Sequence, residues 1–376
     1  MRATRALIYK DNLEFNFKLI KNNFNHQTFI CAVVKANAYG HGIEMVAPIL
    51  DKLGAHRFAV ACLSEARRLR AMAITKPIHL LSPCMPYEIS EAIYLKLIPF
   101  ISSFDEARLW QSMAKAINKE VTVHIKVNLS MNRIGCDISE LIPLTNFVSE
   151  QSYLKLEGIA SHFANGDDTT NPSLEDDLFN FTHLVTPLKQ QQPHLIVHCA
   201  NSAAIQRLAA NNLFNMVRPG IALYGYSPSS YAQQHSLLNG NLKPVMELCS
   251  FITFIHQLKE DSAVSYGSLY VAKKGSYLAT IPLGYADGYS NIFSNKEAAV
   301  AIKGKLYNIA GFVCMDQLIV DLKDNPDNIK LYDKAIFFGP NSPSLNAAQL
   351  TVGLAHFSPY MLLSGISQRV ERVIVE

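Results

Sequence analysis

The chain of 376 residues is long for a single domain and predicts two domains, each large enough to bury its own core. Lys and Arg number 34 against 31 Asp and Glu, and this near balance, without a basic stripe, excludes a protein built to bind nucleic acid or an anionic membrane. Only 17% of the residues are charged, which is low for a globular protein and indicates a sizeable interface between subunits.

The cysteines and the N-terminal stretch indicate the compartment. Seven cysteines are scattered without a CxxC pair, so neither a disulfide framework nor a metal site is expected. The opening stretch MRATRALIYKDNLEFNFKLI interrupts its apolar positions with charged and amide side chains, and no later stretch is long and apolar enough to span a bilayer. These features predict a cytoplasmic protein.

Apolar runs of strand length alternate with amphipathic stretches of helical period through the first two thirds of the chain. Ser64 and Ser103 are predicted to cap two of the helices, the second in a capping box with Glu106. The alternation predicts an α/β fold, a (β/α)₈ TIM-type barrel. An open doubly wound sheet is the alternative, but NAYGHG after the first strand is not the GxGxxG fingerprint that it would need. The eight predicted strands are 29–34, 57–62, 77–82, 97–102, 121–128, 155–162, 194–199 and 216–225.

The pattern of apolar and polar residues changes after about residue 235, at the polar linker SPSSYAQQHSLLNGN. Short alternating runs separated by Gly, Asn, Asp and Pro follow, and they predict a mainly β domain made of hairpins that ends in the strand RVERVIVE. We therefore predict a barrel domain over 1–235 and a C-terminal domain over 236–376. The first ~12 residues could belong to either unit, and one alternative is that they pair with the C-terminal domain.

Lys35 is the residue with the clearest chemical meaning. It ends the apolar run FICAVVK and precedes a small-residue loop with Tyr39, Gly40 and Gly42. A lysine at the mouth of a buried strand loses water, which lowers its pKa and makes it a nucleophile toward an aldehyde, as pyridoxal phosphate (PLP) chemistry requires. The alternative interpretation is a lysine that snorkels to the surface.

Further polar residues follow the predicted strands, at the end of the barrel where such folds place their chemistry. Each also has a purely structural interpretation: Ser202 could cap a helix, His162 could be a hydrogen-bonded core histidine, and Arg218 could form an interfacial ion pair. Tyr360 is an ordinary helix residue unless the second domain packs over the barrel mouth. Tyr266 could equally be a hairpin tyrosine.

Together these segments resemble alanine racemase, a family of fold-type III PLP enzymes. The resemblance covers nearly the whole chain and keeps the family's order. It is carried by AVVKANAYGHG, KVNLSMNRIG, GIASHFA, HCANSAA, VRPGIALYG, VSYGSLY, IPLGYADGY, GFVCMDQ and Tyr360 before LLSGISQRV.

The resemblance implies interconversion of L- and D-alanine, with supply of D-alanine for peptidoglycan, by a homodimer with shared active sites. Lys35 would hold PLP covalently and act as one proton-transfer base, and Tyr266 of the partner subunit would be the other. Arg133 and the amide of Met315 would bind the substrate carboxylate, and Lys126 aligns with a lysine that is carbamylated in some relatives. The implied cofactor contacts are Tyr39, His162, Asn201, Ser202, Arg218, Gly220, Ile221 and Tyr360.

Two positions along the substrate corridor depart from the family pattern. Phe312 and Asn291 stand where relatives commonly have arginines along the substrate corridor, and Asp167 matches the acidic partner of those arginines. We therefore expect a less positive entrance with weaker steering of amino-acid carboxylates. In addition, Asn128, Leu129 and Ser130 replace the usual DTG before Arg133, so the fine geometry around that arginine is left open.

Other functions of the same fold type remain open at this stage. A non-catalytic PLP-binding homeostasis protein would be a lone barrel, without the second domain that brings Tyr266. A broader-specificity small amino-acid racemase would tend to carry an export signal, and a decarboxylase would supply a cysteine from a CESCD-like segment, which the sequence lacks. A biosynthetic and a catabolic role fit the sequence equally well.

Overall fold

The computed structural model describes residues 3–164, 173–208, 214–228, 236–238, 241–294, 298–343, 346–351, 354 and 357–376. Strand β1 (Arg5–Tyr9) and helix α1 (Lys10–Asn22) come first. The barrel strands follow as β2 (Phe29–Val33), β3 (Arg57–Val60), β4 (Ile78–Leu80), β5 (Leu97–Ile101), β6 (Val121–Lys126), β7 (Leu154–Ala160), β8 (Ile196–His198) and β9 (Met216–Val217).

These eight strands form one parallel sheet in the order β8-β7-β6-β5-β4-β3-β2-β9. The two ends of the sheet meet, because Asn215 N donates to Val197 O at 3.3 Å and Arg218 N to Ala200 O at 3.0 Å. The predicted barrel is therefore confirmed, with all eight strands in their predicted places. The last strand is shorter than predicted: Pro219 has no N–H to continue the ladder, and the chain turns into a 3₁₀ helix at Ile221–Tyr224.

Helices pack around the barrel, each burying one apolar face. Ser103 caps α5 as predicted, since its Oγ accepts from Glu106 N at 3.1 Å. The predicted cap at Ser64 is wrong, because α3 already begins at Leu63, with Cys62 as its N-cap. The helices are α2 (Ile43–Lys52), α3 (Leu63–Ala71), α4 (Ile89–Tyr94), α5 (Phe104–Ala116), α6 (Leu141–Ser149), α7 (Ser173–Gln191) and α8 (Ser202–Arg207).

The C-terminal domain is mainly β, as predicted. Its six-stranded sheet has the order β16-β15-β18-β10-β1-β19, so the N-terminal strand lies in it, antiparallel to β10 and parallel to β19. Helices α9 (Ala347–Thr351) and α10 (Pro359–Gly365) accompany the sheets. The strands are β10 (Met246–Phe251), β11 (Phe254–Gln257), β12 (Ser262–Val264), β13 (Tyr270–Ala272), β14 (Tyr277–Ile281), β15 (Ala299–Ile302), β16 (Lys305–Asn308), β17 (Leu318–Asp321), β18 (Lys334–Phe338) and β19 (Glu371–Val375). Across the described residues, no helix combines the length and hydrophobicity needed to cross a bilayer.

Candidate active site

A cavity of about 520 Å³ lies at the C-terminal end of the barrel strands. This is the end at which such barrels carry their chemistry, and the size suits a cofactor with a small substrate. The cavity brings together eleven of the residues singled out in the sequence: Lys35, Tyr39, Lys126, Arg133, His162, Asn201, Ser202, Arg218, Gly220, Ile221 and Tyr360.

Lys35 enters the cavity just after β2, at the start of a left-handed turn. Ala36 to Tyr39 have φ between 51° and 55°, a conformation that costs about 1–2 kcal/mol per non-glycine residue. Small side chains and Asn37 tolerate it, and Asn37 Oδ1 accepts from Ile43 N at 3.0 Å and from Arg68 Nη2 at 2.6 Å. Surrounding hydrogen bonds thus hold the strained backbone that sets the position of Lys35.

Glu65 on α3 anchors the same turn from below. Its Oε1 accepts from Ala36 N at 2.6 Å and its Oε2 from Ala61 N at 2.8 Å, so one buried carboxylate ties together the chain after β2 and β3. Burial lowers the pKa of Lys35, Arg133 lowers it further, and Glu65 partly opposes both. The lysine amine therefore gives up its proton more easily than a lysine in water.

Ser202, Gly220 and the hydroxyls of two tyrosines line one end of the cavity. Ser202 Oγ accepts from Gly220 N at 2.9 Å and from Ala222 N at 3.2 Å, while Tyr39 and Tyr360 face each other with ring centroids 6.0 Å apart. Asn201, and not Ser202, caps α8, since its Oδ1 accepts from the N–H groups of residues 203 and 204. Ser202 is thus free of the capping role that the sequence allowed for it.

Arg218 occupies the floor of the cavity. Its Nη2 donates to Ser161 O at 2.7 Å and Cys199 O at 3.2 Å, and lies 3.4 Å from His162 Nδ1. Burial lowers the pKa of Arg218, and burial together with Lys126 and Arg218 holds the pKa of His162 well below its usual range. The imidazole is therefore neutral beside a guanidinium that has no acceptor atom.

Lys126 and Arg133 form the side of the cavity that follows β6. Lys126 is buried, and burial with the charges of Arg218 and Arg133 holds its pKa well below the usual range. Arg133 is exposed at the cavity wall. An exposed guanidinium beside a buried lysine of lowered pKa puts positive charge where a carboxylate could reach it.

The second domain packs over the barrel mouth at the left-handed turn. Gly40 lies so close to α10 that a Cβ there would fall 1.9 Å from Leu363 O, and Arg372 Nε donates to Gly40 O at 3.0 Å. This contact brings Tyr360 of α10 to the cavity, which is the condition that the sequence interpretation set for a functional role of that tyrosine.

Tyr266 and Met315 do not lie in this cavity. They are on neighbouring loops of the second domain, where Ser265 Oγ donates to Phe312 O at 2.8 Å, and they are 72% and 53% exposed. Ser265, Gly267 and Ser268, which surround Tyr266, all have positive φ. One chain therefore carries two separate groups of the predicted residues. Asp167 lies outside the described residues.

Both domains match models of one family along nearly the whole chain. The model described as "Alanine racemase, N-terminal domain" covers residues 8–228, and the one described as "Alanine racemase, C-terminal domain" covers residues 245–374. The chain belongs to the alanine racemase family.

Individual alanine racemases are similar to this chain along nearly their full length. The alanine racemase of Treponema denticola is 36% identical over 384 residues, which cover 100% of this chain and 99% of the relative, and that of Halothermothrix orenii is 35% identical with 99% and 96% covered. The solved Clostridium difficile 630 alanine racemase has a TM-score of 0.90 at 34% identity, covering 100% of this chain and 96% of its own. The Bacillus anthracis alanine racemase, solved with bound L-Ala-P, has a TM-score of 0.90 at 31% identity with the same coverage. The chain is thus an amino-acid racemase, an isomerase.

Several residues of this racemase that shape the site carried no clear signal in the sequence. Glu65 looked like one more charge on a helix, although it anchors Lys35. His124 and His198 lie inside apolar strands, where a histidine usually means a satisfied core residue. The available signal was their position, on barrel strands in which every second side chain faces the interior.

Proposed function

We propose that this alanine racemase uses PLP held by Lys35 and moves protons with two bases, Lys35 and the partner's Tyr266. The observation that carries the proposal is the single cavity that combines a lysine of lowered pKa with a buried arginine and a set of hydroxyls and backbone amides. These groups match the aldehyde, the ring nitrogen and the phosphate of PLP.

The cavity residues fit PLP at its phosphate end. A dianion is suited by dipoles and hydroxyls, which Ser202, Tyr39, Tyr360 and the amides of Gly220 and Ile221 offer. Gly220 has to be a glycine here, because a Cβ would fall 2.4 Å from Tyr39 Oη and fill this cradle.

The chain's own residues divide the remaining work. PLP, when bound, supplies an electron sink for the carbanion formed at the substrate Cα. Lys35 Nζ and the partner's Tyr266 hold and deliver protons on opposite faces of that Cα, so that removal on one face and delivery on the other inverts it. Arg133, with the Met315 amide, binds the carboxylate and fixes which faces the two bases meet.

Arg218 decides how much charge the cofactor ring takes up. Arginine stays protonated and has no acceptor, so it offers the ring nitrogen a hydrogen bond without handing over its proton. Weaker delocalisation favours fast return of the proton to Cα and suppresses transamination. His162, whose Nδ1 lies 3.4 Å from Arg218 Nη2, would extend this hydrogen-bonded chain toward the partner's Tyr266.

The separation of the two residue groups supports a homodimer. Tyr266 and Met315 are exposed on one chain and outside the Lys35 cavity, together with the exposed apolar residues Leu269, Val271 and Tyr285. A two-fold dimer would place this surface of each chain over the cavity of the other and complete two equal sites. We place the dimer in the cytoplasm, supplying D-alanine for peptidoglycan.

An activity assay tests the reaction. Purified protein given L-alanine should form D-alanine and no carbon dioxide. Tyr266→Phe should lower kcat at least about a thousandfold while retaining PLP, because it removes one base and no cofactor contact. Tyr332→Phe, an equally exposed tyrosine of the same domain, should match wild type. Carbon dioxide as product would indicate a decarboxylase, and PLP binding without turnover a homeostasis protein.

Complementation tests the shared site. Lys35→Ala and Tyr266→Phe homodimers should each be inactive, but dissociating and reassociating an equal mixture should restore about a quarter of wild-type activity, because half the dimers are mixed and each mixed dimer has one intact site. No recovery in verified mixed dimers would contradict a site shared between subunits.

A further inference from the structure

Five polar side chains form a continuous row through the interior of the barrel. Arg218 Nη1 contacts His198 Nδ1, His198 Nε2 lies 2.8 Å from His124 Nδ1, and His124 Nε2 lies 2.9 Å from Glu157 Oε2. Arg57 closes the row with two hydrogen bonds to Glu157, of 2.6 and 2.9 Å. We call these five residues the barrel relay.

The chemistry of the two ends fixes the direction of every hydrogen bond between them. Arg218 can only donate, so His198 Nδ1 has to accept and the proton of that ring sits on Nε2. His198 Nε2–H then donates to His124 Nδ1, which leaves the proton of His124 on Nε2, donating to Glu157. Both imidazoles are therefore neutral Nε2–H tautomers, and every hydrogen bond between Arg218 and Glu157 points toward the carboxylate.

The backbone is shaped for this arrangement. Leu156 pairs with Val123 and Gly158 with His124, so Glu157 is the extra residue of a β-bulge in β7, a device that redirects a side chain. Gly158 leaves room for the imidazole, since a Cβ there would fall 2.5 Å from His124 Cε1.

Burial determines which groups of the barrel relay are charged and which are neutral. His124 and His198 are fully buried, and burial lowers the pKa of both. Burial alone would raise the pKa of Glu157, but the hydrogen bonds from His124 and Arg57 outweigh it and hold the carboxylate ionised. The charged groups that face the two histidines are Arg57, Lys126, Glu157 and Arg218, and the neutral His79 ring lies 4.7 Å from that of His124.

The relay connects the two ends of the barrel. Arg218 lines the active-site cavity, whereas Glu157 lines a second cavity of about 810 Å³ among the N-terminal ends of β4, β5 and β6. In a low-dielectric interior, successive hydrogen bonds polarise one another, so a carboxylate at one end strengthens the acceptor at the other.

We propose that Glu157 is a positioning residue of the racemase: through His124 and His198 it holds the Arg218 guanidinium and disperses part of its charge. The proposal rests on the function proposed above, in which Arg218 faces the cofactor ring nitrogen. Glu157 never touches substrate or cofactor and acts only through the relay.

The tautomers can be read in the protein without cofactor. Side-chain ¹⁵N–¹H spectra of histidine-labelled apoprotein, assigned with His124→Gln and His198→Gln, should show both rings protonated at Nε2 alone. A wild-type ring protonated at Nδ1 would overturn the relay, whatever the activity. Protein that lacks racemase activity would overturn the proposed function, while these spectra would still decide the relay.

Glu157→Gln tests the coupling to Arg218. A carboxamide cannot accept all three hydrogen bonds that Glu157 now accepts, so kcat should fall about tenfold with an unchanged KM for alanine, and the visible band of bound PLP should move. Glu120→Gln, in the same cavity but outside the relay, should match wild type, and Glu157→Asp should fall between. A folded Glu157→Gln with wild-type kcat and spectrum would refute the proposal.

Discussion

Gly220 shows how a missing side chain creates the space that a cofactor needs. The 2.4 Å between its virtual Cβ and Tyr39 Oη is far below any real contact, and Tyr39 is held between Tyr224, at 4.9 Å between ring centroids, and Tyr360. The phenol therefore cannot move aside without disturbing both neighbours.

Gly220→Ala should weaken PLP binding by roughly 10- to 100-fold, since overpacking of this kind costs about 1–3 kcal/mol. Titration of apoprotein with PLP measures the change. In a double-mutant cycle with Tyr39→Phe, the two losses should be less than additive, because the second change removes the clashing oxygen. Full additivity would show that the clash is not the cause.

Phe312 bears on how substrate reaches the site. Phe312 places an apolar ring, and no positive charge, on the loop that carries Met315. Phe312→Arg should raise kcat/KM at low ionic strength and steepen its decrease with salt, whereas Phe312→Leu should leave the salt slope unchanged. The same slope in all three proteins would count against electrostatic steering at this position.

Lys35, His162 and Arg218 could be singled out from the sequence because they follow strand ends and lie in the family's motifs, and the structure places all three in one cavity. His124, His198 and Glu157 could not be predicted in the same way. Their role depends on a bulge and on donor directions between three different strands, and neither property is visible in a local pattern.

The left-handed turn after β2 is the element on which the position of Lys35 depends. Four consecutive non-glycine residues at φ above 50° are rarely tolerated, and here Glu65, Asn37 and the contact with α10 hold them. The strain is thus supported by groups from both domains.

Ala36→Gly should raise the free energy of unfolding by about 0.5–1 kcal/mol, because glycine adopts φ 52° without the Cβ penalty. Ala116→Gly, an exposed alanine in the last turn of α5, should instead lower it by a similar amount. Urea unfolding at fixed protein concentration measures both. A loss of stability at position 36 would contradict the strain assigned to the turn.

The sequence predicted where the strands and helices lie better than where each one begins and ends. The alternation of apolar runs predicted all eight barrel strands, but β9 stops at Val217 because Pro219 cannot donate, and α3 starts before Ser64 without a side-chain cap. The left-handed turn itself was read only as a small-residue loop. Tertiary hydrogen bonds to Glu65 and Arg68 impose it, and nearby sequence does not reveal them.

The stability of the whole molecule depends on pH through several histidines inside it. Burial lowers the pKa of His41 from 6.5 to about 4, and it also lowers the pKa of His79, His124, His162 and His198. The unfolded chain takes up these protons near pH 6.5, and the folded protein does so only at lower pH. Stability is therefore fully present above about pH 6.5 and is lost as the pH falls toward 4.

Urea unfolding followed by the fluorescence of Trp110, the only tryptophan, should show this loss between about pH 6.5 and about pH 4. By pH 4, His41 alone should account for a loss of roughly 3 kcal/mol in the free energy of unfolding. His41→Asn keeps a donor toward the carbonyls of residues 38 and 39, so the variant should depend less steeply on pH. An equal pH dependence would show that His41 takes up its proton normally in the folded state.

The central claim, that one amine in the barrel mouth carries the cofactor, is tested most directly by trapping it. Protein purified with PLP should be yellow, and borohydride should bleach the visible band and add one pyridoxyl group per chain, located by peptide mass mapping on Lys35. Lys35→Ala should stay colourless. A pyridoxyl group on another lysine, or no label on the wild-type chain, would contradict the account.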